Sequence, residues 1–193
     1  MRVFATIGGA ILLSWTAAPA SAQSGFDACA DKTGDEAIAR CTHAIASGNW
    51  DARNLATLFY NRGVHYAARK DHARAIADYS EAIRLNPQYA NAFHNRGSLY
   101  YDQNDYVRAL ADYNEAIRLN PQDSLAFYNR GSLYYDQNDY ARAIADYSEA
   151  IRLKPQYAWA YYDRGMAKKL AGKTAEGEAD IARARALDPN IAK

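Results

Sequence analysis

A surplus of charge of either sign is missing from this chain of 193 residues. Its 23 lysines and arginines stand against 22 aspartates and glutamates, a formal charge of +1. Nothing in such a balance points to broad attraction to nucleic acid or anionic lipid. Histidine is scarce as well. His43, His65, His72 and His94 are the only four, and they follow no spacing, such as H-E-x-x-H, that puts two ligands on one helix face. Outside Gly8-Gly9 every glycine is isolated, so there is no run of backbone amides to cradle a phosphate. Serine, histidine and aspartate fall within a repeated structural pattern, not in a nucleophile, base and orienting-acid order. The chain therefore reads as non-enzymatic, with no cofactor and no metal.

Long apolar runs are absent after the first residues. The chain begins MRVFATIGGAILLSWTAAPASAQS, with Arg2, an apolar stretch from Val3 to about Leu13, and small residues ending in Ala20-Ser21-Ala22. A basic start, a short apolar segment and an A-x-A site predict a secretory signal peptide over 1–22, cleaved after Ala22. The stretch is short for a hydrocarbon core of about 30 Å. The expected product is a soluble periplasmic or secreted protein without a transmembrane anchor.

Cysteine occurs only as Cys29 and Cys41. An even count in an exported chain favours a disulfide between them. Twelve residues of straight helix would span roughly 18 Å, whereas a disulfide holds its alpha carbons about 4.4–6.8 Å apart. The polar stretch from Asp31 to Asp35, which contains Gly34, must then turn the chain back.

What the sequence does have is a period. Gly63, Gly97, Gly131 and Gly165 are spaced by 34, each preceded in register by Arg62, Arg96, Arg130 or Arg164. Pro87, Pro121, Pro155 and Pro189 keep the same interval. The units are 56–89, 90–123, 124–157 and 158–191, and the stretches 93–121 and 127–155 differ at only five of 29 positions. Within a unit, Phe93, Gly97, Tyr100 and Tyr101 recur at helical spacing. A polar break at 102–105 follows, then Tyr106, Ala109, Leu110, Tyr113, Ala116 and Ile117 form a second apolar face. Two helices of about 12–14 residues joined by a short turn are predicted, with Asn104 suited to the helix exit and Pro121 ending the second helix. Gly97 and the alanines leave room where the two helices meet. No hairpin of this kind buries its apolar faces alone, so neighbours must stack.

The third unit carries Phe127, Gly131, Tyr134, Ala143, Tyr147, Ala150 and Pro155 at the places a tetratricopeptide repeat requires, and over 56–191 the chain resembles that family. The resemblance implies an all-α solenoid of antiparallel helix hairpins. Residues 23–55 read as a degenerate half-repeat or cap, in which Ala37, Cys41 and Ala44 mimic Ala75, Tyr79 and Ala82. The step from Ala44 to Gly63 holds four extra residues, expected in a longer connection through Gly48-Asn49-Trp50. At the other end Lys168 and Gly177 depart from the pattern, as an end unit facing solvent would.

The resemblance also implies that first helices line a concave face. It then places Tyr60, Asn61, Val64 and Ala67 there, followed by His94, Asn95, Ser98, Tyr101 and Asp102. The third unit adds Tyr128, Asn129, Ser132, Tyr135 and Asp136, and the fourth adds Trp159, Tyr162, Asp163, Met166 and Lys169. Asparagine both donates and accepts, so Asn61, Asn95 and Asn129 either hold a peptide backbone or bind neighbouring units. His94, in the place of Tyr60 and Tyr128, is expected at the groove or surface. The carboxylate clamp with which some relatives grip acidic tails fits poorly, because Asp102 and Asp136 occupy mid-groove. The leading expectation is an exported scaffold or adaptor for a protein or peptide of unknown identity. A structural homo-oligomer and a carbohydrate or cell-wall binder are the alternatives. Asp78, Asp112, Asp146 and Asp180 follow the arginines by sixteen residues, which predicts repeated interhelical ion pairs, each worth only ~0–1 kcal/mol if near the surface.

Overall fold

Polar turns and proline punctuation cut the chain into helices, and the 34-residue period sets where. The computed structural model describes Cys29 and residues 34–191; the expected signal segment 1–22, the cleavage expected after Ala22 and the turn expected at 31–33 lie outside the described residues. Nine helices and no strand occur among the described residues. They are α1 (Gly34–Ser47), α2 (Ala52–Ala68), α3 (His72–Leu85), α4 (Ala90–Asp102), α5 (Tyr106–Leu119), α6 (Ser124–Asp136), α7 (Tyr140–Leu153), α8 (Ala158–Leu170) and α9 (Thr174–Leu187). Each helix packs on the next in sequence, and α4 also touches α6, as α6 touches α8. First helices thus form an inner row and second helices an outer one.

Three-residue turns close each hairpin by one device. Lys70, Asn104 and Asn138 adopt φ of 60°, 58° and 60°, and Gly172 adopts 81°. The amide of the following residue then donates to a carbonyl of the helix just ended, as Asp105 does to Tyr100 at 2.8 Å. Asp71, Asp105 and Asp139 go on to cap α3, α5 and α7, their carboxylates accepting from the amides of Arg74, Arg108 and Arg142. Lys70 is the poor fit, since a long side chain resists left-handed backbone. Lys70→Gly is expected to raise stability by about 0.5–1 kcal/mol, measured as a higher urea midpoint with unchanged slope. A loss of stability would show that the Lys70 side chain makes a compensating contact.

Helices meet closely where glycine and alanine allow it. A β-carbon added at Gly63 would lie 2.8 Å from Tyr79, one at Gly131 2.9 Å from Tyr147, and one at Gly165 2.7 Å from the Gly177 carbonyl oxygen. Ala75, Ala109, Ala143, Ala150 and Ala184 are fully buried in the seams. The four extra residues before Gly63 are not in a loop. The connection Gly48–Asp51 is as short as its counterpart at 86–89, and the additional residues lengthen α2 to 17 residues against 13 in α4, α6 and α8. Asp51 starts α2 early by capping the Asn54 amide at 2.8 Å, which explains the difference.

At this end α1 takes the place of a second helix, with Ala37, Cys41 and Ala44 buried. Cys29 and Cys41 are joined with alpha carbons 4.8 Å apart, and both are fully buried beside Leu58 and Trp50. At the other end Glu178 and Arg185 replace the apolar Ile144 and Ile151 of the preceding unit, both are exposed, and Ile191 folds back to 2% exposure. The last hairpin so presents a charged outer face of its own.

The arginine series needs a correction of degree. Arg62, Arg96, Arg130 and Arg164 each fork onto Asp78, Asp112, Asp146 or Asp180 with two bonds of 2.7–2.8 Å. Those aspartates are only 5–8% exposed, so the pairs lie inside the hairpins, not near the surface. The third guanidinium nitrogen reaches the preceding unit, to Thr42, Ser80, Asn114 or Ser148 at 2.7–3.1 Å. Each arginine thereby bolts three helices together. Phe93 and Tyr100 flank Arg96, and Arg108 covers the other side of Tyr100 at 4.2 Å, a stack repeated around Arg62 and Arg130. In the last unit Lys168 replaces the tyrosine and reaches Asp180 directly at 2.9 Å. Burial alone would raise the Asp180 pKa, but the bonds from Arg164 and Lys168 outweigh it and hold it low.

Candidate functional site

The inner row presents one face of α2, α4, α6 and α8, where helical spacing brings residues three and four apart into line. Between α4 and α6 this face opens into a recess of about 310 Å3. Its walls are Ser98, Tyr101 and Asp102 from one unit with Tyr128, Asn129 and Ser132 from the next. All six belong to the series expected on the concave face. The seventh lining residue, Tyr113, is expected from its spacing only on the apolar face of the second helix; its ring is buried there, while its hydroxyl donates to Ser98 at 3.2 Å. Burial pushes that phenol up to about 12, so it stays a donor.

The expected asparagine ladder exists, and it bonds between units. Asn95 donates to the Tyr60 hydroxyl at 3.1 Å, and Asn129 to a ring nitrogen of His94 at 2.8 Å. Tyr128 continues the series by donating to Asp163 at 2.6 Å. Tyr101 donates to Asp136 with the same offset of 35 residues. The interval is one residue beyond the repeat, because it joins a position to its neighbour's next residue in the following unit. Asn95 and Asn129 accordingly spend amide protons on the stack, Asn129 also toward the Ser98 hydroxyl at 3.5 Å, and keep their carbonyls for other partners. Asn61, at the start of the ladder, makes no side-chain bond of this kind among the described residues.

His94 departs from expectation. It is 7% exposed, with one ring nitrogen toward Asn129 and the other 3.5 Å from Asp123. The reason lies at the end of its unit. Tyr60 and Tyr128 stack on Tyr89 and Tyr157 at 4.8 and 4.9 Å, but the second unit ends in Asp123, which replaces ring packing by a polar contact and draws the imidazole in. The His94 bond also holds the Asp123 carboxyl below its ordinary range. Tyr60, Asn61, Asn95, Tyr128, Tyr135 and Tyr162 are partly buried on the inner row. Trp159 is the most open candidate at 47% exposure, edge-on to Tyr162 at 6.1 Å.

Asp163 stands where three sister units carry asparagine. Loss of hydration raises its pKa, the Asp136 charge adds to the rise, and the Tyr128 bond opposes both. Folding thus favours its protonated form, so its contribution to stability is present below the ordinary carboxylate range and is lost as pH rises through the raised value. Asp163→Asn keeps an acceptor for Tyr128 and removes the charge. A higher melting temperature at neutral pH is expected, with the gain vanishing at about pH 3, where the wild-type group is also neutral. A constant difference across pH would contradict the assignment.

A stack of 34-residue hairpins with an open inner row defines a helical-repeat solenoid, and the comparisons place it. A tetratricopeptide repeat model matches residues 94–158, and a second, TPR repeat, model matches residues 63–104. The chain belongs to the tetratricopeptide repeat family. Its fold is shared with MamA, at TM-score 0.73 and 23% identity over 82% of this chain and 90% of that one. A MamA fragment from Desulfovibrio magneticus RS-1 aligns at TM-score 0.69 and 15% identity, covering 90% and 97%. YrrB, described as a TPR protein with an unusual peptide-binding site, aligns at 0.68 and 19%, covering 89% and 84%. No curated protein matches by sequence.

Proposed function

We propose that this protein is an exported scaffold that holds an extended segment of another protein along its inner row of helices. The observation carrying the reading is the recess between α4 and α6, walled by tyrosines, hydroxyls and amides from two successive units. Tyrosine rings give contact area at low ordering cost, and an asparagine carbonyl left over from the ladder suits a peptide amide. The unusual peptide-binding site of YrrB supports the same use of this fold. Export is supported by the composition of residues 1–22 and by the buried Cys29–Cys41 bond, which suits an oxidising compartment.

Combined alanine replacement of Tyr101, Tyr135 and Trp159 is expected to lower capture of the native partner at least tenfold. These side chains would supply hot-spot contacts of about 1–2 kcal/mol each. Circular dichroism should show unchanged helical content. Undiminished capture by the folded variant would remove the site. The mass of the unreduced protein from its native compartment reads both export signatures, through loss of residues 1–22 and of two hydrogens.

A further inference from the structure

The inner row carries negative charge that nothing in the fold answers. Asp102 and Asp136 are the final residues of α4 and α6, and neither helix has a basic residue in its last turn. A helix C-terminus is already the negative end of the peptide dipoles, so an aspartate there opposes the local field. The outer helices do the reverse, with Arg84, Arg118 and Arg152 in the last turns of α3, α5 and α7. The two flanking inner helices lack the feature too. α2 ends in Ala68, and α8 ends in Leu170 behind Lys168 and Lys169. Among the described helices, an aspartate closes the C-terminus with no basic residue in the last turn only in α4 and α6, the pair that forms the recess.

Asp163 adds a third carboxylate from α8, close enough to Asp136 for the two charges to be felt together. Tyr101 and Tyr128 orient Asp136 and Asp163, but a phenol hydroxyl is neutral. No lysine or arginine pairs with Asp102, Asp136 or Asp163 among the described residues. The one lysine at an inner-row register position, Lys169, turns to Glu178 at 4.0 Å. The recess itself has Asp102 on its wall beside the rings of Tyr101 and Tyr128, faces that attract a cation.

The geometry points to a cationic subsite: the recess between α4 and α6 takes a lysine or arginine side chain from a bound peptide segment, so the partner segment is basic. This rests on the inner row being the binding face and assigns its charge preference. A long basic side chain would place its stem along the tyrosines and its head among the carboxylates and helix ends. An acidic segment would meet repulsion at each of them.

Selection from a random displayed peptide library tests this on the full mature chain. Peptides captured by the wild type and displaced by the Tyr101→Ala, Tyr128→Ala variant report on the inner face. Among these, lysine and arginine are expected to exceed aspartate and glutamate about fivefold or more, with binding weakened by salt. The Asp102→Asn, Asp136→Asn, Asp163→Asn variant should bind the best basic peptide about tenfold more weakly while still binding its glutamine-substituted form. Asparagine already stands at the Asp163 register in three units, so this variant should fold. Inner-face peptides without basic enrichment, or with acidic enrichment, overturn the subsite and leave the scaffold reading standing. Absence of any peptide sensitive to the tyrosine substitutions overturns both.

Discussion

Asp112→Ala is expected to cost about 3–5 kcal/mol of folding stability, because it strands a guanidinium inside the solenoid. Arg96 gives both forked bonds to Asp112, and the two side chains are only 19% and 8% exposed. Without the carboxylate, Arg96 also loses the geometry that holds its remaining nitrogen on Ser80 of the preceding unit. One substitution so loosens a hairpin and the seam beside it. Arg118 and Glu115 make the comparison, since they pair at 2.6 Å with exposures of 60% and 32%. Glu115→Ala should cost no more than about 1 kcal/mol. Urea unfolding followed by circular dichroism reads both. A shallower slope for Asp112→Ala would show units unfolding separately. Equal small losses from the two variants would contradict the bolt.

Gly131→Leu is expected to cost about 3 kcal/mol or more through overpacking. Even the first carbon of a side chain would lie 2.9 Å from two ring atoms of Tyr147, and that ring is 1% exposed with its hydroxyl bonded to Ser132. The ring has nowhere to go, so α6 and α7 must separate. A parallel Val107→Leu change, at a residue 82% exposed, should stay within about 0.5 kcal/mol. Thermal unfolding compares them. A Gly131→Leu protein melting with the wild type would show that the seam is loose.

The repeat made the architecture legible, since four registers of Gly, Arg and Pro fix where each hairpin begins and ends. Asn104 announced its left-handed turn by its residue type, whereas Lys70 did so only through its place in the register. The extra turn of α2 was not legible as helix, because Asp51 reads equally as a loop residue or a cap until its bond to Asn54 is seen. In the site, the six groove residues that wall the recess followed from the family resemblance. The depth of Asp78, Asp112 and Asp146 did not, because aspartate usually signals solvent and only the forked partner makes burial tolerable. His94 was misplaced for a related reason. Its environment is set by Asp123, which lies 29 residues away and departs from the Tyr89 and Tyr157 pattern without marking what it faces. The offset of 35 residues linking Tyr60 to Asn95 and Tyr128 to Asp163 was present in the sequence, but it shows only when the chain is aligned one position out of register.

The most direct measurement is amide chemical-shift mapping with the best selected basic peptide. The account predicts shifts concentrated at Ser98, Tyr101, Asp102, Asn129 and Ser132 on α4 and α6, with α5 and α7 little changed on their outer sides. Shifts confined to those outer helices, with the recess silent at saturation, would contradict it.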